Sequence, residues 1–585
     1  MILISAEASF TVPIYAADQI TYQISIRGLE GDEFKTILDV FKESSILENK
    51  KSSKLISLTN LNGRIETDVE LLNQIMRSEG YYGAAITDQL ARRNNQFEIT
   101  LMVTPGPIYR YGDIRIDFQG TIPQEDIKEK LHKAMLIKAE QPARAQPVKS
   151  SHDNILVTLP QLGFPFVQKI DDNFVVDHRS QLMNVTFTID TGPRRRMGTV
   201  NFDGLGSVNE SFVSKFIIWN EGDTYEQRYV DGLRDRLLQS NLFSGIDVSV
   251  TPRDQDFADI SVKLTPARQR TIGTSLGYST AEGISGEVSW EHRNIFGSGQ
   301  RLNVIAHAAE IEQSLTGRLE IPHFKRLDQT LSFEGGLKRQ NTDAFRAYTV
   351  NTQAGIDRVI TDHIALLANV VLDYNVVTDA LGKNDFMLTA LPFGFRWDSS
   401  DDLLDPSSGL RASVITAPSF GVGKTSFTFL KSEIRASGYY PVTAKKNVVL
   451  ALRTRLGSII GVENETLPAT SRFFSGGGGS IRGYAFQRVG PLAVNSDPLG
   501  GRSVSEVAGE VRFKFENNLG LVLFSEGGNV YLDTTPKFSD FRWAAGIGAR
   551  YSTGFGPIRF DIAFPLNKRV GDSSFQIYIS LGQAF

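Results

Sequence analysis

From Arg268 onward, apolar and polar residues alternate along the chain, and this two-residue period limits the possible folds more than any other feature. The clearest stretches are residues 450–456, 510–516 and 558–564, where one set of alternate positions is apolar and the other carries charged residues. Alternation of this kind places the two sets on opposite faces of a β-strand. A soluble sandwich buries its apolar face against a second sheet, whereas a membrane barrel turns that face to lipid and encloses a polar lumen. Charged inner faces on several strands favour the barrel.

The length of this segment agrees with a closed barrel. Residues 268–585 comprise 318 positions, and roughly 20 residues for each strand with its connection gives about sixteen strands. An even number of strands is usual in outer-membrane barrels, and closure leaves no sheet edge exposed to lipid. No uncharged apolar run approaches the ~20 residues that a membrane-spanning helix needs. The sequence therefore predicts an all-β, 16-stranded transmembrane β-barrel over residues 267–585.

The residues before the barrel show helical periodicity between short strands. The third of three similar segments is the clearest, with a helix predicted over 211–219, a second over 229–240 and two strands after them. The order β-α-α-β-β recurs three times, and each copy has enough apolar positions for a small α+β core. We therefore predict three α+β repeats, at residues 20–106, 107–192 and 193–266.

Two segments outside this repeat pattern are harder to interpret. Residues 1–19 are mildly apolar and contain Ala6-Glu7-Ala8, which has the form of an export cleavage site, but no Lys or Arg precedes Arg27. They are interpreted as a shortened signal region or as a disordered tail. Residues 141–147 contain two prolines, and we expect a surface loop there between the helices of the middle repeat.

Four segments within the barrel region carry a resemblance to a known family. Residues 474–484 read FSGGGGSIRGY and are similar to the lid-loop signature ending in (V/I)-R-G-(Y/F) of the Omp85 superfamily. Residues 524–531 resemble its F-x-D-x-G strand motif, 396–409 its D-x-R-D…P-x-x-G hairpin and 291–300 its first barrel hairpin. The resemblance implies periplasmic POTRA repeats followed by a 16-stranded barrel in the outer membrane of a Gram-negative bacterium. Three repeats and this length are typical of the TamA branch, since the BamA branch usually carries five.

The sequence departs from the family pattern at two places. Glu526 stands where the strand motif has Asp and is one methylene longer. The hairpin reads Asp398-Ser399-Ser400-Asp401 and lacks the Arg that usually lies between the two acids. We expect weaker pairing in that turn.

Arg482 is the main candidate functional residue. A planar guanidinium in a glycine-rich loop suits a long reach to a carboxylate, which it binds with two hydrogen bonds. The resemblance implies that this arginine holds the loop, folded into the lumen, against acidic residues of late strands. The predicted lock comprises Ile481, Arg482, Gly483, Tyr484, Glu510 and Glu526. Gly476, Gly477, Gly478 and Gly479 are expected to let the loop fold tightly, and the alternative is an exposed arginine on a flexible linker.

The resemblance also implies a lateral seam between the first and last barrel strands, predicted over 271–279 and 575–585. Gly277 and Gly582 would weaken this seam because they supply no cross-strand side chain, and Ser275 is expected to lie beside Ile579. The alternating last strand is typical of outer-membrane barrels, and its apolar residues are expected to share one face: Phe575, Ile577, Ile579, Leu581 and Phe585.

The implied function is to help insert or secrete outer-membrane β-barrel proteins such as autotransporters. Its implied partners are nascent outer-membrane proteins, a TamB-like periplasm-spanning protein bound by the first repeat, and outer-membrane lipid and lipopolysaccharide. A two-partner secretion transporter of the same superfamily, or a passive porin with a periplasmic module, is the alternative.

Other chemistries lack support in the sequence. The charge is balanced, with 62 basic and 66 acidic residues, which argues against nucleic-acid binding. The chain has no cysteine, and its seven histidines form no H-x-x-x-H or H-E-x-x-H pattern. The aspartates at 398–405 resemble turn chemistry more than a calcium site. We therefore expect no cofactor, no metal and no enzymatic activity.

Overall fold

The computed structural model describes residues 21–50, 57–93, 96–254, 256–279, 283–380, 382–554 and 556–585. The predicted signal region or tail at 1–19 lies outside the described residues. No helix in the described part of the chain is long and apolar enough to cross a membrane.

The first repeat follows the predicted order. Its elements are β1 (Thr21–Arg27), α1 (Lys35–Ser44), α2 (Ile46–Asn49), α3 (Leu58–Ser78), β2 (Ala85–Arg93) and β3 (Gln96–Thr104). The sheet order is β1-β3-β2, with β1 parallel to β3 and β2 antiparallel to it. Phe41, Leu72 and Leu101 are fully buried in the core that the helices and the sheet share. The apolar positions of the helices thus face one side of a small sheet, as an α+β unit requires.

The second repeat has the same topology. Its elements are β4 (Arg110–Gln119), α4 (Glu125–Ala134), α5 (Ala145–Gln161), β5 (Gln168–Asp177) and β6 (Leu182–Asp190), and its sheet order is β4-β6-β5. The loop predicted at 141–147 is shorter than expected, because α5 begins at Ala145. Pro147 is accommodated there since the first turn of a helix does not use its backbone N–H groups.

The third repeat comprises β7 (Arg196–Asp203), α6 (Glu210–Val213), α7 (Gln227–Gln239), β8 (Phe243–Pro252) and β9 (Phe257–Pro266), with sheet order β7-β9-β8. The helix predicted over 211–219 is wrong in its second half. A 3₁₀ turn over Ser214–Phe216 follows α6, and the backbone is extended at Ile217. The segment is rich in aromatic and β-branched residues, which have low helix propensity. A single helical turn is enough to bury its apolar side chains.

The barrel begins at Arg270. Its strands are β10 (Arg270–Ser279), β11 (Gly283–His292), β12 (Arg301–Ala309), β13 (Glu312–Ile321), β14 (Gln329–Asn341), β15 (Phe345–Thr361), β16 (Ile364–Asp379), β17 (Gly382–Ala390), β18 (Phe393–Asp398), β19 (Gly409–Val422), β20 (Ser426–Pro441), β21 (Val448–Ile460), β22 (Ser503–Lys514), β23 (Leu519–Tyr531), β24 (Arg542–Thr553), β25 (Gly556–Pro565) and β26 (Gln576–Leu581). Apart from β17 and β18, neighbours in sequence pair antiparallel around a closed ring.

The ring has sixteen strand positions, as the sequence predicts. β17 and β18 both pair with β16 on one side and with β19 on the other, so they are two pieces of one strand. The break lies at Leu391-Pro392, where proline cannot donate a ladder hydrogen bond. The alternating residues also lie on opposite faces of the barrel wall, as predicted. Leu452 and Leu523 are exposed on the outer face, while Glu510 and Asp561 are buried inside.

The chain divides into two compact units. One holds Met1–Asn201, Ile218–Arg234 and Val248–Val262, and so includes the first two repeats. The other holds Phe202–Ile217, Asp235–Asp247 and Lys263–Phe585, and so includes the barrel.

The last strand is shorter than predicted. β26 ends at Leu581, and Gly582 follows with a φ of 87°, a left-handed conformation that turns the chain out of the ladder. The Phe585 side chain then packs against Tyr439 and Ala451. The prediction that Phe585 shares the outward face of Phe575, Ile579 and Leu581 is therefore wrong.

Asp68 generates a prediction about the stability of the first repeat. Its fully buried carboxylate accepts hydrogen bonds from the Ser45 hydroxyl at 2.5 Å and from the backbone N–H groups of Ile46 and Leu47 at 3.0 Å each. In Asp68→Asn an amide replaces one acceptor oxygen and faces these donors. We expect a loss of about 1–3 kcal/mol in the free energy of unfolding of this repeat.

Hydrogen exchange of α2 and α3 in the full-length chain measures this loss. The matched control is Asp39→Asn, which makes the same change on the exposed face of α1 and should leave exchange unaltered. Equal exchange in the two variants would show that Asp68 does not stabilise the repeat.

Candidate functional site

The connection between β21 and β22, residues 461–502, is called the lid loop here. Its middle part is buried, with Phe473, Ile481, Tyr484 and Val489 all nearly inaccessible to solvent. The side chains that it contacts include residues of β21, β22, β23, β25 and β26 that lie on the inner face of the wall. The lid loop therefore lies against the inside of the barrel wall.

Arg482 is fully buried and contacts three carboxylates. Its Nε and Nη2 donate to Glu526 Oε1 at 3.0 and 2.7 Å, and Nη2 also donates to Glu510 Oε1 at 2.6 Å. Nη1 donates to Asp561 Oδ2 at 2.8 Å. The guanidinium lies 3.5 Å from the ring centroid of Phe524, close enough for a cation–π interaction. The fork geometry of arginine is what allows one side chain to bridge three strands.

The main chain of the lid loop adds to this attachment. The backbone N–H of Arg482 donates to Glu526 Oε2 at 2.6 Å, so Glu526 holds both the side chain and the backbone of the same residue. The backbone N–H of Gly483 donates to the Tyr578 hydroxyl at 3.2 Å, and Tyr578 lies on β26. Tyr484 Oη donates to Asn567 Oδ1 at 2.9 Å. Tyr484 Oη also lies 3.1 Å from the backbone carbonyl oxygen of Trp543 on β24. The loop is thus attached to each of the last five strands, β22 to β26.

Further arginines balance the three carboxylates. Arg512 Nε lies 2.8 Å from Glu510, and Arg550 and Arg559 both pair with Asp561. Charges buried in this way are stable only as a set, because removing one leaves its partners uncompensated in a low-dielectric interior.

Glu506 anchors the start of the glycine-rich segment. Its Oε1 accepts hydrogen bonds from Ser475 Oγ at 2.8 Å, Ser480 Oγ at 2.6 Å and Arg455 Nη1 at 3.2 Å. Arg453 donates to the carbonyl groups of Gly479 and Ser480. This second cluster holds the residues before Arg482 in place.

The glycines contribute unequally. Gly476, Gly477 and Gly483 have φ values of 106°, 98° and 99°, which other residues rarely adopt. A Cβ on Gly478 would come within 3.0 Å of the Tyr578 ring, so this glycine allows a close approach to the last strand. No described atom lies within 4 Å of a Cβ built on Gly479, so close packing does not require glycine at that position.

The structure thus brings together all six residues of the predicted lock, and it adds Asp561, Phe524, Tyr578 and Asn567. Asp561 lies on the charged face of an alternating strand, like Glu510, so its inward orientation was readable from the sequence. Its proximity to Arg482 was not, because alternation gives the face of a strand but not the height of a residue along the barrel.

Few residue pairs join β10 to β26 among the residues that the structure describes. Two residue pairs join the strands in the described part of the chain, Tyr278 with Ile579 and Ser279 with Tyr578. By comparison, ten pairs join β10 to β11 and six join β25 to β26. In the described part of the wall, β10 and β26 are therefore joined by fewer pairs than the strands on either side of them.

The predicted seam register is wrong by three residues. Ser275 pairs with Glu287 on β11, and Tyr278 takes the predicted place opposite Ile579. Register depends on where the two strand ends meet after closure, which the pattern of either strand alone does not contain. Gly277 does lie near the seam, since a Cβ on it would be 3.8 Å from the Ile579 carbonyl oxygen, whereas Gly582 follows the end of β26.

The hairpin turn between β18 and β19 has more side-chain hydrogen bonds and ion pairs than expected. Arg411, from β19, lies 3.5 Å from Asp398 and donates to Ser400 Oγ at 3.0 Å, which supplies the arginine missing from the motif. Asp401 accepts hydrogen bonds from the backbone N–H groups of Ser407 and Ser408. Burial opposes ionisation of Asp401, but its hydrogen bonds outweigh burial and hold its pKa below the ordinary value. This aspartate acts as a turn residue.

The Arg482 contacts predict the effect of removing the guanidinium. Arg482→Ala leaves three buried carboxylates without their shared cation, which costs about 3–5 kcal/mol of local stability. We expect the lid loop to detach while the barrel still forms, since the strand ladders do not involve this side chain. Limited proteolysis within 474–490, together with the heat-modifiable gel mobility of the barrel, measures the two effects separately.

Arg488→Ala is the matched control in the same loop. Arg488 has one ion-pair partner within the described residues, the exposed Asp343 at 3.4 Å, so its loss should leave the loop protected. A lid loop that remains protected in Arg482→Ala and supports normal function would contradict the lock.

Comparisons with known proteins agree with this architecture. Residues 294–585 match the Omp85 superfamily domain. The chain is 24% identical over 538 residues to the outer membrane protein assembly factor BamA of Neorickettsia risticii, covering 87% of this chain and 71% of that protein. It is also 24% identical over 550 residues to the BamA of Nitratidesulfovibrio vulgaris, covering 89% of this chain and 68% of that protein.

A solved structure has the same fold. The crystal structure of BamA from Haemophilus ducreyi lacking POTRA domains 1–3 matches with a TM-score of 0.70 at 17% identity, over 81% of this chain and 100% of that one. The barrel and the repeats are those of an outer-membrane protein with periplasmic POTRA domains. The narrower TamA assignment stays a prediction, because the relatives named here are BamA proteins. By its barrel, its repeats and its domain match, the chain belongs to the Omp85 superfamily.

Proposed function

We propose that this protein is an outer-membrane protein assembly factor that inserts nascent β-barrel proteins through its lateral seam. The observation that carries the proposal is the pairing of β10, which among the described residues has two pairs with β26 and ten with β11. Its superfamily membership and its similarity to proteins named as assembly factors support it.

The energetics of the seam favour opening at this position. The two adjacent antiparallel pairs described at the seam supply about two backbone hydrogen bonds, each worth about 1 kcal/mol net. The ten pairs between β10 and β11 supply about five times as many. Separating β10 from β26 therefore costs less than separating β10 from β11. The exposed edges can then pair with a client strand, whose own backbone groups need partners in lipid.

The lengths of the barrel strands also support opening between β10 and β26. Among the described residues β10 has ten and β26 has six, whereas β15, five strand positions from β10 around the ring, has 17. Short strands span less of the hydrocarbon core, so the bilayer beside them thins to match. A thinner bilayer lowers the cost of inserting a client. The reaction needs no cofactor in this proposal, since client folding supplies the free energy.

The lid loop argues against a passive porin. Its buried segment occupies space inside the barrel and is attached by Arg482 to the inner wall. A wide, permanently open channel does not need such an attachment. The loop instead lies against β26 through Tyr578, at the strand that would have to move.

A disulfide across the seam tests the proposal. Tyr278→Cys combined with Ile579→Cys places two thiols at directly opposed positions in a chain that has no other cysteine. Opposed strand residues have Cα separations suitable for a disulfide. We expect oxidation in native outer membranes to abolish assembly of a client barrel and reduction to restore it.

The matched control links the same residue to its other neighbour. Tyr278 also pairs with Ile284 on β11, so Tyr278→Cys with Ile284→Cys crosslinks two strands that stay together during seam opening. This variant should assemble clients normally after oxidation. Normal assembly by the oxidised seam variant would exclude lateral opening and favour a scaffold role for the POTRA repeats.

We further propose the narrower role of the translocation-and-assembly type. It has autotransporters as clients, a TamB-like periplasmic partner at the first POTRA repeat, and contacts with outer-membrane lipid and lipopolysaccharide. The three repeats support it over a two-partner secretion transporter, which usually carries two. Crosslinking from exposed positions on β2 identifies the partner, and a crosslink to a secreted substrate alone would favour the two-partner role.

A further inference from the structure

The second POTRA repeat contains a cavity that the proposed seam mechanism does not use. It lies between α5 and the edge strand β5 and has a volume of about 540 Å³, within the roughly 300–1,000 Å³ of small-ligand sites. Its apolar lining includes Tyr82, Val148, Phe174 and Met183, and its polar lining comprises His152, Lys149, Asp153, Lys169 and Asp172. A cavity with both kinds of lining is suited to a side chain that has an apolar body and a polar end.

His152 is the polar group at the centre of this site. It is 3% exposed, and its Nδ1 lies 2.9 Å from Asp172 Oδ2. Lys169 Nζ donates a hydrogen bond to the same oxygen at 2.7 Å. An ionised carboxylate only accepts hydrogen bonds, so Nδ1 carries the proton that it donates to Asp172. In the neutral ring, Nε2 is then an acceptor.

This Nε2 acceptor has no partner among the described residues. A buried polar atom without a hydrogen bond costs about 1–3 kcal/mol, so such atoms in native structures call for a specific explanation. A ligand with an apolar body and one hydrogen-bond donor would satisfy the ring nitrogen and cover the apolar part of the cavity lining.

We propose that this cavity binds a tyrosine side chain of an unfolded client, with the phenolic hydroxyl donating to His152 Nε2. The proposal rests on the proposed function, because that function brings client segments to the periplasmic repeats. Barrel strands carry aromatic residues at both membrane interfaces, so tyrosine is common in such clients. Phenylalanine fits the same apolar surface but has no donor, which makes His152 the residue that determines specificity.

The edge strand β5, beside the cavity, can pair with the backbone of an extended client segment. β5 is at the edge of the sheet β4-β6-β5 and exposes Ile170, Phe174 and Val175. An extended client segment paired with this edge would place alternate side chains on the face of the sheet that α5 covers. One of these side chains would point toward the cavity.

Two labelled peptides test the proposal with the full-length protein in detergent. Both are short, with alternating valine and threonine and terminal lysines, and they differ only in a central tyrosine or phenylalanine. One hydrogen bond to an otherwise unpaired buried acceptor is worth about tenfold in affinity. By fluorescence anisotropy we expect the tyrosine peptide to bind about tenfold more tightly.

His152→Phe should reduce the ratio of the two affinities to about one, because the ring remains and the acceptor is lost. The matched control is His132→Phe on α4, an exposed histidine of the same repeat, which should keep the full ratio. Val148→Trp fills the cavity from α5 without altering His152 and should weaken both peptides. Equal binding of the two peptides to the unaltered protein, or an unchanged ratio in His152→Phe, would overturn the proposal.

The outcomes also separate this proposal from the proposed function. Equal peptide binding together with loss of assembly in the oxidised seam variant would remove the tyrosine site and leave the assembly function. A His152-dependent tyrosine preference together with normal assembly in that variant would leave the site and remove the seam mechanism.

Discussion

The burial of one guanidinium among three carboxylates is the interaction on which the inside of this barrel depends. Arg482, Glu510, Glu526 and Asp561 are each almost completely removed from solvent. None of these charges would be stable there alone, and the arginines of the surrounding strands complete the balance. Such a set gives limited net stability but requires one arrangement, because any other leaves a charge unpaired. It therefore specifies where a long, glycine-rich loop lies.

The lipid imposes the second constraint. Every backbone group of a membrane strand needs a hydrogen-bond partner, so the sheet must close. Closure joins the first and last strands, and here it is achieved with two described residue pairs. The lid loop contacts the last of these strands through Tyr578, which belongs to one of the two pairs.

Much of this architecture could be predicted from the sequence, and the limits have physical causes. Two-residue alternation defines the faces of each strand, which is why the barrel, its strand number and the inward side of Glu510 could be predicted. Alternation says nothing about register, so Ser275 was placed where Tyr278 lies. The helix predicted over 211–219 was too long, because the apolar spacing of a single helical turn is also the spacing expected of a longer helix. Gly582 ended the last strand through a left-handed conformation that the pattern around it does not show.

Tyr578 has a consequence for how the protein moves. Its backbone belongs to one of the two seam pairs, and its hydroxyl accepts the hydrogen bond from the lid loop. The loop and the last strand therefore belong to one cooperative unit, in which local unfolding of either part removes contacts from the other. Detachment of the loop would lower the barrier to strand separation without any change at β10. A change in the lid loop inside the barrel would in this way alter the stability of the β10–β26 seam through the Tyr578 side chain.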